Sequence, residues 1–223
     1  MSDAPLPGTT VPGARPRLVL ATHNAHKVAE LRSILGPLLD GIDLIAYDGP
    51  DPVEDGDTFA ANALIKARAA STHTGLPAIA DDSGICVDAL GGAPGIHSAR
   101  YAGTRDDDHN VDLLLANLAG VSARGARFEC AAALVVPLSI EVVGPDGPAD
   151  ASEGSEFVET GSWPGTVLGE RRGAHGFGYD PVFAPHGAAG SAAELTPEQK
   201  NAVSHRAIAF GRLISTVRVK LGV

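Results

Sequence analysis

Residues 78–85 read AIADDSGI, so an apolar run meets two adjacent carboxylates, Asp81 and Asp82. Two neighbouring buried charges of one sign are costly unless cations compensate them. Neighbours on a strand point to opposite faces, which predicts different jobs for the two. One can accept backbone hydrogen bonds and hold a turn. The other can face a cleft, ligate Mg2+ or take a proton from water. Ser83 and Gly84 would let the backbone approach a ligand closely. Taken alone, the same residues also describe an acidic turn capped by Asp81.

Several cationic and polar stretches could meet an anion near such a site. In THNAHK, residues 22–27, a strand feeding a helix through a polar turn offers free backbone N–H groups and the positive end of the helix dipole. Thr22 and Asn24 add donors and Lys27 a full charge, although a plain helix cap with a solvated lysine has the same appearance. His23 and His26 lack the further partners a zinc site needs. In VEDGDTFAANALIKA, residues 53–67, Asp57 suits a helix dipole, while Glu54 precedes the glycine turn and is free to point elsewhere. Asn62 and Lys66, four apart, share one face of an alanine-rich helix. KNAVSHR, residues 200–206, supplies Lys200, His205 and Arg206, groups suited to a phosphorylated nucleotide.

GFGYDPVF, residues 176–183, sets Phe177 and Tyr179 beside Gly178 and Asp180. Aromatics make up only 4% of the chain, yet two stand in a glycine loop, where a flat ring can stack a nucleobase. Either ring could instead anchor the loop. The chain has no nucleophile elbow, Cys–His signature or zinc-type cysteine spacing. Phosphate donors, carboxylates and a stacking aromatic together point to metal-assisted attack by water on a nucleotide phosphate.

These residues must be positioned by folded elements. The chain has 223 residues, 44% hydrophobic and 20% charged, enough for a substantial core. A net charge of −10 argues against a surface that coats duplex DNA. Cys86 and Cys130 read as buried thiols of a reducing compartment. Residues 1–16 carry no signal peptide and are expected to be a disordered extension ahead of one catalytic domain, 17–223; the cytoplasm is the expected location. Strands are expected at RLVLAT, DLIAY and the strongly apolar, central RFECAAALVV. PAIADDSGICV reads as two short strands or a strand and turn, and FVETGSW and TVLGE as short strands around a bend. Helices are expected after Asn24, after Asp57 or Thr58 up to Gly75, over TRDDDHNVDLLLANLAG, and from TPEQ onward with a pause at Ser204. The acidic stretch 144–156 reads as an exposed loop or hairpin tip. Helices interleaved with strands define an α/β protein with a mixed sheet.

Five segments in order, THNAHK, EDGDTFAANALIKA, ADDSGICVDALGGAPGIHSARYAG, GFGYDPVF and KNAVSHR, closely resemble the Ham1/RdgB family of inosine triphosphate pyrophosphatases, from about Leu18 to Leu213. The resemblance implies an elongated, two-lobed ITPase-like fold, a long mixed β-sheet flanked by helices around a central cleft, and a homodimer. It implies Mg2+-dependent hydrolysis of ITP, dITP or XTP to the monophosphate and pyrophosphate. By motif, Thr22, His23, Asn24, Ala25, His26 and Lys27 would line the triphosphate. Asp82 would bind metal and accept the proton, and Ser83 would touch substrate. Phe177, Gly178, Tyr179, Asp180, Lys200, His205 and Arg206 would hold the nucleotide, chiefly its base. The family often has a glutamate before the asparagine of its second motif. Ala61 stands there instead, leaving Glu54 as the second candidate metal ligand. The competing readings are a Maf-type pyrophosphatase acting on other modified nucleotides and a nucleotide-sensing protein without turnover.

Overall fold

The computed structural model describes residues 15–138 and 155–223. Residues 1–14, most of the expected N-terminal extension, and 139–154, most of the expected acidic loop, lie outside the described residues. Six strands form one sheet in the order β2-β1-β3-β4-β5-β6. β1 (Arg17–Leu20) runs parallel to both β2 (Asp43–Ala46) and β3 (Ala78–Val87). β3, β4 (Gly125–Val136), β5 (Ser155–Val167) and β6 (Phe183–Pro185) are successively antiparallel. The mixed sheet expected from the sequence is therefore present, with β4 central.

Two strands correct the sequence reading. β3 does not stop at Asp81 and Asp82; it continues to Val87, paired residue for residue with β4. β5 is likewise one strand through Ser162 and Pro164, and it takes in Ser155 and Glu156 from the expected acidic loop. Pro164 is tolerated because it lies where the β5–β6 ladder ends, beyond Gly165: its carbonyl accepts from His186 N at 2.9 Å, and only the donor a proline lacks goes unused.

The helices begin where their side chains can satisfy free N–H groups. Asn24 caps α1 (Ala25–Leu35) by accepting from Lys27 N, and Thr58 caps α2 (Phe59–Thr74) by accepting from Ala61 N. Asp106 caps α3 (Asp107–Asn117). Thr196 and Gln199 form the capping box of α4 (Pro197–Val203), and Ser204 ends α4 and caps α5 (His205–Leu221).

The core has three parts. Leu18, Leu20, Ile79 and Leu134 pack against Leu31, Leu35, Phe210 and Leu213 of α1 and α5. On the sheet's other face, Ala63, Ala67 and Ala70 of α2 meet Ala78, Ala80, Ala131 and Ala133. Small side chains on both sides let helix and sheet approach closely. The third cluster joins Ile85, Val87, Phe128, Trp163 and Phe183 to Val111, Leu114 and Leu118 of α3. β3 thus leaves the first two clusters at Ala80 and enters the third at Ile85, and the two aspartates lie between them.

Candidate active site

The bridging stretch of β3 forms the floor of a cleft of about 390 Å³. Gly84 is required there, because a Cβ would collide with Ser98 Oγ and Gly95 O. Gly161 plays the same part on β5, where a Cβ would strike His205 O and Ala209 N of α5. That close approach sets His205 and Arg206 beside the floor.

The two aspartates diverge as the alternation rule predicts. Asp81 Oδ2 accepts from Lys27 Nζ at 3.0 Å, Ser83 Oγ at 3.1 Å and Arg206 Nε at 3.2 Å. Burial opposes its ionisation, but Lys27, Arg206 and Lys66 outweigh burial and hold its carboxyl far below the ordinary range. Asp82 faces α2: Asn62 Nδ2 donates to Oδ2 at 3.2 Å and Lys66 Nζ to Oδ1 at 3.3 Å. Its pKa is raised, by burial first and by Asp81 and Glu54, against the pull of Lys66 and Lys27. A carboxylate with raised pKa is a stronger base, and this one lines the cleft.

Lys66 also reaches Glu54 Oε2 at 3.1 Å, so one ammonium bridges the carboxylates of Glu54 and Asp82. Burial works against its charge, yet Asp82, Asp81 and Glu54 raise its pKa. Two convergent carboxylates held by a cation fit the donor set that Mg2+ uses when substrate phosphates complete its shell. Among the described residues no group of three or more His, Cys, Asp or Glu could hold a metal by itself. Ala61 offers no carboxylate, and its N–H belongs to the helix cap.

A second ion cluster closes the cleft wall. Lys200 Nζ lies 2.6 Å from Asp180 Oδ2 and 3.1 Å from Glu30 Oε1. Arg206 Nη1 lies 2.8 Å from Glu30 Oε2, and Nη2 donates to Ser83 Oγ at 2.7 Å. Glu30, whose side chain is 9% exposed, is the member that sequence reasoning missed. Its only local signal is its place three residues after Lys27 on α1.

Phe177 and Tyr179 divide the two roles open to them. Tyr179 is the loop anchor, buried in the third cluster with its hydroxyl donating to Ser98 O at 2.9 Å. Phe177 is half-buried on the cleft, with Lys200 and Arg206 over its ring at 5.1 and 5.2 Å and the His26 ring stacked at 5.6 Å. Asp180 accepts from Phe177 N and Lys200, holding the loop. His205 stacks on Phe128 at 4.8 Å, and its Nδ1 makes no protein hydrogen bond. Burial, then Arg206 and Lys200, push its pKa well below the ordinary value, so the ring is neutral.

Of the residues singled out in the sequence, Thr22, His23, Asn24, His26, Lys27, Glu54, Asp82, Ser83, Phe177, Gly178, Tyr179, Asp180, Lys200, His205 and Arg206 line this one cleft. Ala25 does not; it begins α1 on the exposed side. His23 Nδ1 lies 2.6 Å from Asp51 Oδ1 at the rim.

A sequence model described as the Ham1 family matches residues 18–216. A protein named dITP/XTP pyrophosphatase from Leifsonia xyli is 52% identical over 205 residues, covering 91% of this chain and 96% of its own. Its namesake from Streptomyces avermitilis is 50% identical, covering 92% and 99%. Among solved structures, a HAM1 protein from Coxiella burnetii superposes with a TM-score of 0.76 at 38% identity, covering 92% of this chain and 99% of that one. A nucleoside-triphosphatase, dITP/XTP pyrophosphatase, from Mycobacterium abscessus gives 0.65 at 41% identity, with coverage of 90% and 98%.

Proposed function

The chain belongs to the Ham1 family, and on that premise we propose that it hydrolyses dITP, XTP and related non-standard purine nucleoside triphosphates to the monophosphate and pyrophosphate. The observation that carries this reading is the union of Asp82, Lys27, Phe177 and the Lys200–Arg206 cluster in one cleft. Relatives about half identical over nearly their whole length bear the matching name.

In this mechanism Asp82, held by Asn62 and Lys66, takes a proton from the water that attacks the α-phosphorus. The bond to the bridging oxygen breaks and pyrophosphate leaves, with Lys27 and Lys66 offsetting its charge. Asp82 and Glu54 would hold Mg2+, which when bound neutralises phosphate charge and polarises the scissile phosphate. Phe177 would stack the base. Arg206 has five N–H donors and spends one each on Asp81, Glu30 and Ser83, leaving others for the purine 6-oxo oxygen. Neutral His205 can donate there as well. Adenine presents an amino group at that position and would leave such donors unpaired, which discriminates strongly.

The reading places the enzyme with the cytoplasmic nucleotide pool, as a homodimer. Among the described residues no helix is long and apolar enough to cross a membrane. The test is product release from dITP, XTP, dGTP and dATP with Mg2+, with pyrophosphate and orthophosphate assayed separately. Pyrophosphate from dITP and XTP, little from dATP, and loss of turnover on chelation are expected. Orthophosphate as the first product, or no product, would overturn the assignment.

A further inference from the structure

The paired charges around the cleft leave a deficit. Four cations, Lys27, Lys66, Lys200 and Arg206, are each committed to carboxylates within 3.3 Å. Those carboxylates number five (Glu30, Glu54, Asp81, Asp82 and Asp180), a surplus of one negative charge over the four cations. A fully ionised triphosphate chain would meet a wall already neutralised from behind. Capture of that chain from solution gains most from cations that no protein carboxylate holds.

Two such residues line the cleft. Arg100 and Arg105 are exposed, and among the described residues neither makes a side-chain hydrogen bond or ion pair. The backbone that presents Arg100 is nonetheless fixed. Asn110, 1% exposed, donates to Ala99 O at 3.3 Å and accepts from Ala102 N at 2.8 Å, bracketing Arg100 on both sides. Ser98 ties the same segment to β3, accepting from Ile85 N at 3.0 Å and donating to Gly95 O at 2.7 Å. A rigid main chain carrying an uncommitted guanidinium suits a partner that arrives from solution. Guanidinium is also the side chain that pairs with phosphate oxygens in bidentate fashion.

We propose that Arg100 and Arg105 are further cations that capture the polyphosphate chain of the incoming nucleotide from solution, ahead of the carboxylate-paired Lys27 and Lys66 that offset the leaving group's charge. This rests on the nucleoside triphosphate reading above and adds which of the chain's charges the substrate uses. Charge-assisted contacts of this kind contribute enough that losing both should weaken polyphosphate binding about tenfold or more. They should also carry part of the salt dependence of capture.

The test compares the full chain with its Arg100→Gln/Arg105→Gln variant. The probe is inorganic tripolyphosphate titrated by calorimetry at several salt concentrations, with thermal unfolding as the folding control. Both arginines are exposed and unpaired, so an unchanged midpoint is expected. Tripolyphosphate affinity should fall about tenfold with a shallower salt dependence, and KM for dITP should rise more than kcat falls. Equal affinity and equal salt slope in the two proteins would overturn the proposal, as would no tripolyphosphate binding by the parent chain. Turnover of dITP by the parent is followed in parallel. Its absence would strike the pyrophosphatase reading, while the tripolyphosphate comparison would still decide the role of the arginines.

Discussion

Replacing Glu30 by glutamine keeps shape and one acceptor oxygen but removes the charge shared by Lys200 and Arg206. Both cations are more than nine-tenths buried, so water cannot replace the lost partner. Breaking a buried pair from one side costs about 3–5 kcal/mol. Here each cation keeps a second carboxylate, Asp180 at 2.6 Å for Lys200 and Asp81 at 3.2 Å for Arg206. The lower end, about 3 kcal/mol, therefore applies. For a chain of this size each kcal/mol lowers the midpoint by about 2–4 °C, so thermal unfolding should shift down by about 6–12 °C. Because the cluster is buried, 1 M salt should not erase the difference. Lys200 and Arg206 also sit over Phe177, so loosening them should raise KM for dITP more than it lowers kcat. A midpoint within about 2 °C of the parent protein, together with an unchanged KM, would refute the claim that Glu30 positions this wall.

Asp82→Asn should leave the midpoint nearly unchanged, since burial already disfavours the Asp82 charge in the folded chain and raises its pKa, while pyrophosphate release from dITP falls by about two orders of magnitude or more; near-parental turnover would remove Asp82 as the proton acceptor. Phe177→Ala should weaken nucleotide binding by about 1–3 kcal/mol, the worth of one base–aromatic stack, with kcat less affected, and an unchanged apparent affinity in equilibrium titration would contradict it. His205 sets a pH dependence of stability. Its folded pKa lies well below 6.5, so below about pH 6.5 the unfolded chain takes up a proton that the folded chain refuses. Stability should then fall with decreasing pH by up to about 1.4 kcal/mol per unit from this group. His205→Gln should flatten that part of the curve, and parallel stability curves for the two proteins between pH 7.5 and 5 would contradict the assignment.

Local chemistry was readable wherever a residue acts on its own neighbours. Asn24, Thr58, Asp106, Thr196 and Ser204 each cap a helix through a donor three residues ahead, and their positions follow from residue type. Most cleft residues were readable because they lie in five ordered motifs, while Tyr47, Asp51, Arg105 and Phe128 line the cleft from outside them. The continuity of β3 and β5 was not, since Gly84 and Pro164 read as breakers in isolation. Only the pairing with β4 and the short extent of β6 show why the strands carry on. Glu30 was hidden for a different reason. Its partner Arg206 lies 176 residues away, and Arg206 in turn meets Asp81, which is 125 residues before it. No local period encodes which cation a helical glutamate will find.

The adjacent aspartates follow from that same geometry. Continuing β3 through them sends their side chains to opposite faces, so each meets different helices. Asp81 faces α1 and α5 and is fixed as an anion by Lys27 and Arg206. Asp82 faces α2 and is held by one amide and one ammonium, with burial raising its pKa. A turn at this point would have put both carboxylates in solvent and dissolved the distinction. The unbroken strand keeps one charge permanently compensated, and its neighbour stays available for a proton.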